Sequence, residues 1–169
     1  AQRARRAFGV RGPEWERDAA ADGVIALRVL PGPEFEQFTV ASRDQLWSER
    51  WRITPQSNRM GSRLASANGA ELRRKRATDM LSSGVIPGTI QVPPSGQPII
   101  LMGDAQTTGG YPKIAHVCAV DLPRLAQKMP GEAVRFALID LPEAQRLAML
   151  QDAVFDAMDT ATAGEHAHG

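Results

Sequence analysis

The sequence predicts a mainly β domain with a short helix and a C-terminal helix, on three observations. Of its 15 glycines and 12 prolines, eleven lie between Gly84 and Pro112, which punctuates that region into short segments joined by turns. Branched apolar residues gather in brief runs closed by turn residues, as strands require. Helical signals are confined to two places, and both open with the tripeptide Asp-Leu-Pro.

Residues 1–22 are mostly Arg, Ala and acids without a clear period, and no element is assigned to them. The domain is expected over 23–159. Val24–Leu30 (VIALRVL) reads as a strand ended by the rigid turn Pro31-Gly32-Pro33. Gln37–Ala41 and Trp51–Thr54 read as further short strands, with Arg43–Glu49 between them as two helical turns. Thr89–Val92, Pro98–Met102, Ile114–Val120 and Glu132–Ile139 complete the series. In the last, Val134, Phe136 and Leu138 alternate with Ala133, Arg135 and Ala137, the period of a strand with one buried face. Ile99–Met102 does not alternate, which predicts burial on both faces. Asp121-Leu122-Pro123 opens a short helix to Lys128, stopped by Pro130-Gly131, and Asp140-Leu141-Pro142-Glu143 opens a longer one. Each Asp stands where it can accept orphan amide protons, Pro is tolerated in a first turn, and Glu143 makes a capping-box pattern. Leu147, Leu150, Val154 and Met158 recur at three and four residues, so one face of a helix ending near 159 is expected to pack on the β body. From Thr160 the residues are small and polar through His166 and His168, and 160–169 reads as a disordered tail.

Charge names no partner. Lys and Arg number 20 against 19 for Asp and Glu, so no global field favours nucleic acid or an anionic membrane. No apolar run approaches the ~20 residues of a bilayer span. Five arginines between Arg3 and Arg17 have no apolar stretch after them, unlike a secretory signal. The single cysteine, Cys118, forbids an internal disulfide and fits a reducing, cytoplasmic setting. His116 shares a strand face with Ile114, Cys118 and Val120 and reads as an interior histidine. The alternative, a metal ligand, lacks further ligands at suitable spacing, so no metal is expected. Arg73-Arg74-Lys75-Arg76, beside Glu71 and Asp79, reads as a solvated edge. Neither a GxxxxGK[ST] phosphate loop nor an AMKM-like biotin attachment site is present, so no cofactor is expected to be bound by this chain alone.

Two polar clusters can carry chemistry. Gly103-Asp104-Ala105-Gln106-Thr107-Thr108-Gly109-Gly110-Tyr111-Pro112 joins two apolar strands and is too long for a tight hairpin. It offers a carboxylate, an amide, two hydroxyls and a phenol, and its paired glycines let a ligand approach the backbone. The alternative is a turn whose side chains bond only their own loop. Thr54-Pro55-Gln56-Ser57-Asn58-Arg59-Met60-Gly61-Ser62-Arg63-Leu64 fits neither helical nor strand periodicity. Its arginine forks suit a carboxylate, carbonyl or phosphate; the alternative is a connecting loop with two surface arginines. The first cluster lacks a cation and the second lacks an acid. Joined, they make a site for a small amide, whose oxygen needs donors and whose nitrogen needs an acceptor. Arg59 and Asp104 are therefore expected to line one cavity, with Gln106, Thr107 and Tyr111 nearby.

The stretch PQSNRMGSRL at 55–64, with GVIPGTIQVPPSGQPIILMGDAQTTGGYPKIAHVCAVDLPRLAQKMPGEAVRF at 84–136, resembles the allophanate hydrolase subunit 2 family. That family is also described as biotin-dependent carboxyltransferase-like, as the C subunit of 5-oxoprolinase and as the antagonist of the Kip inhibitor. The resemblance runs from Leu27 to Phe136 and implies a cyclophilin-like β-barrel. Family members carry another domain before this one, so the chain is expected to be the C-terminal half of a longer subunit. The family pattern has Asp and Tyr where Asn58 and Ser62 stand, and an acid where Ser83 stands, so the resemblance does not fix the substrate.

The activities implied are ATP-dependent opening of 5-oxoproline to glutamate, or carboxyl transfer from carboxybiotin to urea. For the first, the expected partners are a second cyclophilin-like subunit of the B type, a catalytic third subunit and the missing N-terminal half. ATP would act in the complex; in the alternative, a partner would supply carboxybiotin. A third reading is a regulatory module antagonising an inhibitor of a histidine kinase. For an amide substrate, Arg59, Asp104 and Tyr111 are the candidate catalytic residues, and Asn58, Arg63, Gln106, Thr107, Thr108, Gly109 and Gly110 the candidate substrate-binding ones.

Overall fold

A computed structural model describes residues 23–76 and 79–165, side chains from 159 onward excepted. In chain order its elements are β1 (Ile25–Pro31), α1 (Val40–Ser48), β2 (Trp51–Ile53), β3 (Gly61–Ser66), β4 (Ser83–Gly84), β5 (Thr89–Gln91), β6 (Ile99–Leu101), β7 (Thr108–Gly109), β8 (Lys113–Val117), α2 (Leu122–Ala126), β9 (Ala133–Leu138) and α3 (Leu141–Glu165). Short 3-10 turns lie at Phe35–Gln37 and Ala119–Asp121. Seven strands close into a barrel in the order β1-β8-β5-β6-β3-β2-β9, while β4 and β7 pair as a separate ribbon. Closure comes from the parallel pairing of β1 with β9, in which Leu27 stands opposite Phe136. The other barrel pairs are antiparallel.

The alternating apolar residues of these strands fill the barrel. Leu27, Val29, Trp51, Ile53, Leu64, Ile90, Ile100, Val134 and Phe136 form one core with Phe38, Leu46 and Leu125 from outside the strands. Trp51 packs against Phe136 with ring centroids 6.4 Å apart, and its indole N–H donates to the Leu46 carbonyl at 3.1 Å. The largest core side chain thus leaves no polar atom unpaired.

Several expected elements are shifted or replaced. Gln37–Ala41 is not a strand: Phe38 makes one isolated bridge to Arg74, and Thr39 then starts α1 by accepting the Ser42 amide proton at 3.2 Å. A threonine in extended conformation at a cap position ends the strand-like run after one residue. β3 occupies part of the segment in which no period was visible, because Gly61 and Ser62 are buried at positions where their small side chains give no apolar signal. Ile100 and Leu101 are buried, but Ile99 and Met102 are only half-buried. Leu138, at the end of β9, is exposed although Val134 and Phe136 are core residues.

The two Asp-Leu-Pro starts behave differently. Asp140 caps α3 by accepting the Glu143 amide proton at 2.9 Å, but Glu143 turns to Arg146 and leaves the capping box half made. Asp121 makes no side-chain cap. Its fully buried carboxylate accepts from the Arg28 backbone amide (2.7 Å), from Arg28 Nε (2.9 Å) and Nη2 (2.6 Å), and from Arg124 Nη1 (3.1 Å). Two guanidinium groups outcompete a helix end for one carboxylate. Of the α3 residues expected to face the body, only Leu147 is buried, in a small cluster with Cys118 and Val120. Leu150 and Met158 are exposed and Val154 half-buried, because the 25-residue helix outruns the surface on which it starts. The helix also continues from Thr160 to Glu165, where a disordered tail was expected; the alanines there favour it and no proline interrupts it. Residues 166–169, and the unassigned 1–22, lie outside the described residues.

Asp121→Ala removes the buried carboxylate that two largely buried arginines share. We expect chemical denaturation to show a loss of ~3–5 kcal/mol, the usual consequence of removing one partner of a buried ion pair.

Candidate active site

The turn between β2 and β3 is built by its own polar side chains. Asn58 Oδ1 accepts the amide protons of Met60 (2.9 Å) and Gly61 (3.3 Å), and Ser57 Oγ accepts that of Arg63 at 2.9 Å. The backbone beyond β6 docks on this turn, with Met102 N donating to Met60 O at 3.0 Å and Asp104 N to Arg59 O at 3.3 Å. These bonds hold Arg59 beside Asp104, and the side chains meet at 3.3 Å between Nε and Oδ2. The pair borders a cleft of about 460 Å³ whose wall also includes Ser57, Ser62, Met102, Leu125 and Lys128.

Of the remaining sequence-predicted residues, only Asn58 shares this cleft. Asn58 lines the cleft, but its carbonyl oxygen is spent on the turn, leaving the amide nitrogen for a ligand. Arg63 projects from β3 as an exposed side chain and is not part of the cleft wall. Gln106 and Thr107 are exposed outside it, and the Thr107 carbonyl accepts from Val85 N at 2.9 Å. Thr108 and Gly109 form β7. Gly110 and Tyr111 line a different groove of about 750 Å³, together with Phe38, Arg73, Arg74 and Met80. The expectation that Gln106, Thr107 and Tyr111 share the Arg59–Asp104 cavity is therefore not met. Ribbon pairing of Thr108–Gly109 with Ser83–Gly84 draws the second half of the loop elsewhere.

Lys128 is the cleft residue that the motif reading missed. Its side chain is only 17% exposed, and its ammonium donates to Glu132 Oε1 at 2.9 Å and to the Gly23 carbonyl at 3.3 Å. The available signal was the Lys-Met-Pro-Gly-Glu turn, whose ends carry opposite charges. Glu132 also accepts from Met129 N at 2.6 Å. That backbone bond and then Lys128 hold its carboxyl below the usual range, so Glu132 is charged at neutral pH.

A second cation is buried near the ribbon. Lys113 Nζ donates to Ser83 Oγ at 2.7 Å and lies 3.5 Å from Glu34 Oε2. His116 has its pKa lowered by burial, favouring the neutral ring. Among the described residues, no group of three or more His, Cys, Asp and Glu is placed to hold a metal ion, and no helix is long and apolar enough to cross a membrane.

Over residues 2–138 the chain matches the family described as the carboxyltransferase domain, subdomain A and B. It belongs to that family. The C subunit of 5-oxoprolinase from Escherichia coli (strain K12) is 45% identical over 130 residues, covering 77% of this chain and 41% of that protein. Urea amidolyase of Lachancea kluyveri is 30% identical over 137 residues, covering 75% of this chain and 7% of that protein. The crystal structure of Kluyveromyces lactis urea carboxylase superposes with a TM-score of 0.71 at 23% identity, over 78% of this chain and 12% of that one, a likeness of fold alone. The chain thus spans about two fifths of the Escherichia coli protein that it matches.

In this carboxyltransferase-domain chain Cys118 is not a nucleophile in waiting. Burial, and then the charge of Asp121, push its thiol from an ordinary value of 9.0 up to about 11. At pH 8 the thiolate population is then about a hundredfold lower than in an unfolded chain. Iodoacetamide should label native Cys118 at least that much more slowly than denatured protein, with the native rate rising toward pH 11. Rapid native labelling at pH 8 would contradict the burial described.

Proposed function

We propose that this chain is the C-terminal part of a subunit of an ATP-dependent 5-oxoprolinase, which opens 5-oxoproline to glutamate together with a second cyclophilin-like subunit and a catalytic third subunit. The observation that carries the reading is the meeting of Arg59 and Asp104 at one cleft, in a chain 45% identical to a 5-oxoprolinase component. A lactam presents a carbonyl oxygen that needs donors and an N–H that needs an acceptor, and a guanidinium beside a carboxylate offers both.

The pair can exchange its own contact for substrate. Arg59 is 92% exposed and Asp104 57% exposed, and ion pairs so open to solvent are worth little. Opening the pair costs correspondingly little, after which Arg59 turns to the amide oxygen while Asp104 receives the N–H. ATP enters as a substrate of the complex, outside this chain, in a reducing cytoplasmic setting. Tyr111, in the neighbouring groove, is assigned no step.

A second reading, carboxyl transfer from a partner's carboxybiotin to urea, is favoured by the likeness to the Lachancea kluyveri urea amidolyase. The two are separated by reconstituting the full complex and following ATP-dependent glutamate release from 5-oxoproline against carboxybiotin-dependent carboxylation of urea. Glutamate release is expected, and urea carboxylation without it would overturn the first reading.

In that complex, Arg59→Ala and Asp104→Ala should each lower kcat/KM at least tenfold, equivalent to ~1.4 kcal/mol of transition-state stabilisation. Wild-type efficiency in both variants would remove the cleft from the reaction. The 169-residue chain alone is expected to show no ATP-coupled turnover.

A further inference from the structure

We infer that Lys128 is a specificity residue of the cleft, an anchor for a carboxylate on the substrate that separates an acidic amide from a neutral one. The inference rests on the reading of the cleft as an amide site and adds the chemical class of amide.

Charge comes first. The ionisable side chains on the cleft wall are Arg59, Asp104 and Lys128. Arg59 and Asp104 offset each other on the wall, and Lys128 is the further cation there, its own counter-charge, Glu132, standing off the wall. A neutral amide such as urea uses the first two groups and has nothing to offer the third. An amide that also bears a carboxylate, as 5-oxoproline does, satisfies all three.

Geometry supports the same assignment. An ammonium has three donors, and Lys128 commits one to Glu132 Oε1 and one to the Gly23 carbonyl. The two acceptors fix the group and leave one of its three donors uncommitted. Its 17% exposure, against 92% for Arg59, means that a carboxylate reaching Lys128 is bound in a less screened setting than one reaching Arg59. Arg59 is an exposed cation at the rim, while Lys128 is a tethered one.

Glu132 competes for the ammonium without filling the cleft. It is not part of the cleft wall, and one of its oxygens is held by the Met129 amide. The Lys128–Glu132 contact therefore acts as a tether, leaving the substrate carboxylate to complete the shell.

The test is binding to the reconstituted full-length complex, read by ligand-observed NMR, with 5-oxoproline and its neutral carboxamide as probes. Lys128→Met should weaken 5-oxoproline binding at least tenfold and change carboxamide binding less than twofold, while Lys128→Arg retains most of the 5-oxoproline affinity. Turnover of 5-oxoproline should show the same loss in KM with kcat within about twofold. The unchanged carboxamide affinity reports that the variant is folded; if Lys128→Met binds neither probe, the charge-keeping Lys128→Arg decides, and its loss of 5-oxoproline selectivity overturns the proposal. Equal weakening of both probes, or no weakening of either, also overturns it. If wild-type complex binds 5-oxoproline through Lys128 but releases no glutamate, the anchor stands and the 5-oxoprolinase reading falls. If glutamate is released and Lys128→Met is indistinguishable from wild type, the anchor falls and the 5-oxoprolinase reading stands.

Discussion

The carboxylate of Asp121 fixes the relation between the barrel and everything placed at its cleft. It binds the backbone and the guanidinium of Arg28 on β1, the strand whose parallel pairing with β9 closes the barrel, and it binds Arg124 on α2. Leu125, the next residue, is buried in the barrel core, and Ala126 and Lys128 form one wall of the cleft. A five-residue helix has little stability of its own, since nucleating a helical turn is costly. Its place is set by these contacts. The fully buried anion between two largely buried cations carries a desolvation penalty that better-packed apolar side chains would avoid. What it supplies is orientation, since the bonds to Arg28 define both the height and the rotation of α2 against β1.

The two ion pairs at the cleft illustrate how exposure decides what a charge can do. Arg59 and Asp104 are held at hydrogen-bonding range by backbone contacts between their loops, yet their side chains are largely in water. Such a pair is cheap to open and contributes little to holding the fold. Lys128 and Glu132 are joined at 2.9 Å across the Pro130-Gly131 turn, with the lysine mostly buried. That contact holds the turn and the ammonium together. One cleft thus combines a pair that can part with a cation that stays in place.

The strands that were legible in the sequence are those whose buried residues are large and apolar. β1, β2, β5, β6 and β9 match their expected ranges to within a residue at either end, because Leu27, Trp51, Ile90, Ile100 and Phe136 announce a buried face; β8 starts as expected around Ile114 but ends at Val117, and Cys118 and Val120, expected on its face, lie instead at a 3-10 turn. β3 was invisible because its first two buried positions are Gly61 and Ser62, and the β4–β7 ribbon because two-residue strands carry no periodicity. Residue chemistry brought Arg59 and Asp104 together correctly, since a cation-bearing turn and an acid-bearing loop complement each other. Lys128 escaped because a lysine after a short helix looks like solvated surface, and only the tertiary contact of α2 with the barrel carries it to the cleft. The cap pattern at Asp121 misleads for the same reason: helix-start patterns are local, while Arg28, 93 residues away in sequence, is brought to its carboxylate by the fold.

The loop from Gly103 to Pro112 looked like one functional unit and is two. Its first residues are drawn to the β2–β3 turn through Asp104 N, while Thr108 and Gly109 are drawn to Gly84 and Ser83. At the second attachment Gly109 packs directly on the side-chain amide of buried Gln91, which donates to the Tyr111 carbonyl at 3.4 Å, and a Cβ there would displace that amide. Lys113 reinforces it from the adjoining strand by donating to Ser83 Oγ. A ribbon of only two residues per strand cannot persist on its own ladder, so these partly buried polar contacts help determine where the loop divides. Asp104 faces Arg59 and Tyr111 faces the Arg73–Arg74 groove because Gly109 is anchored between them, and polar side chains adjacent in sequence are thereby delivered to separate cavities.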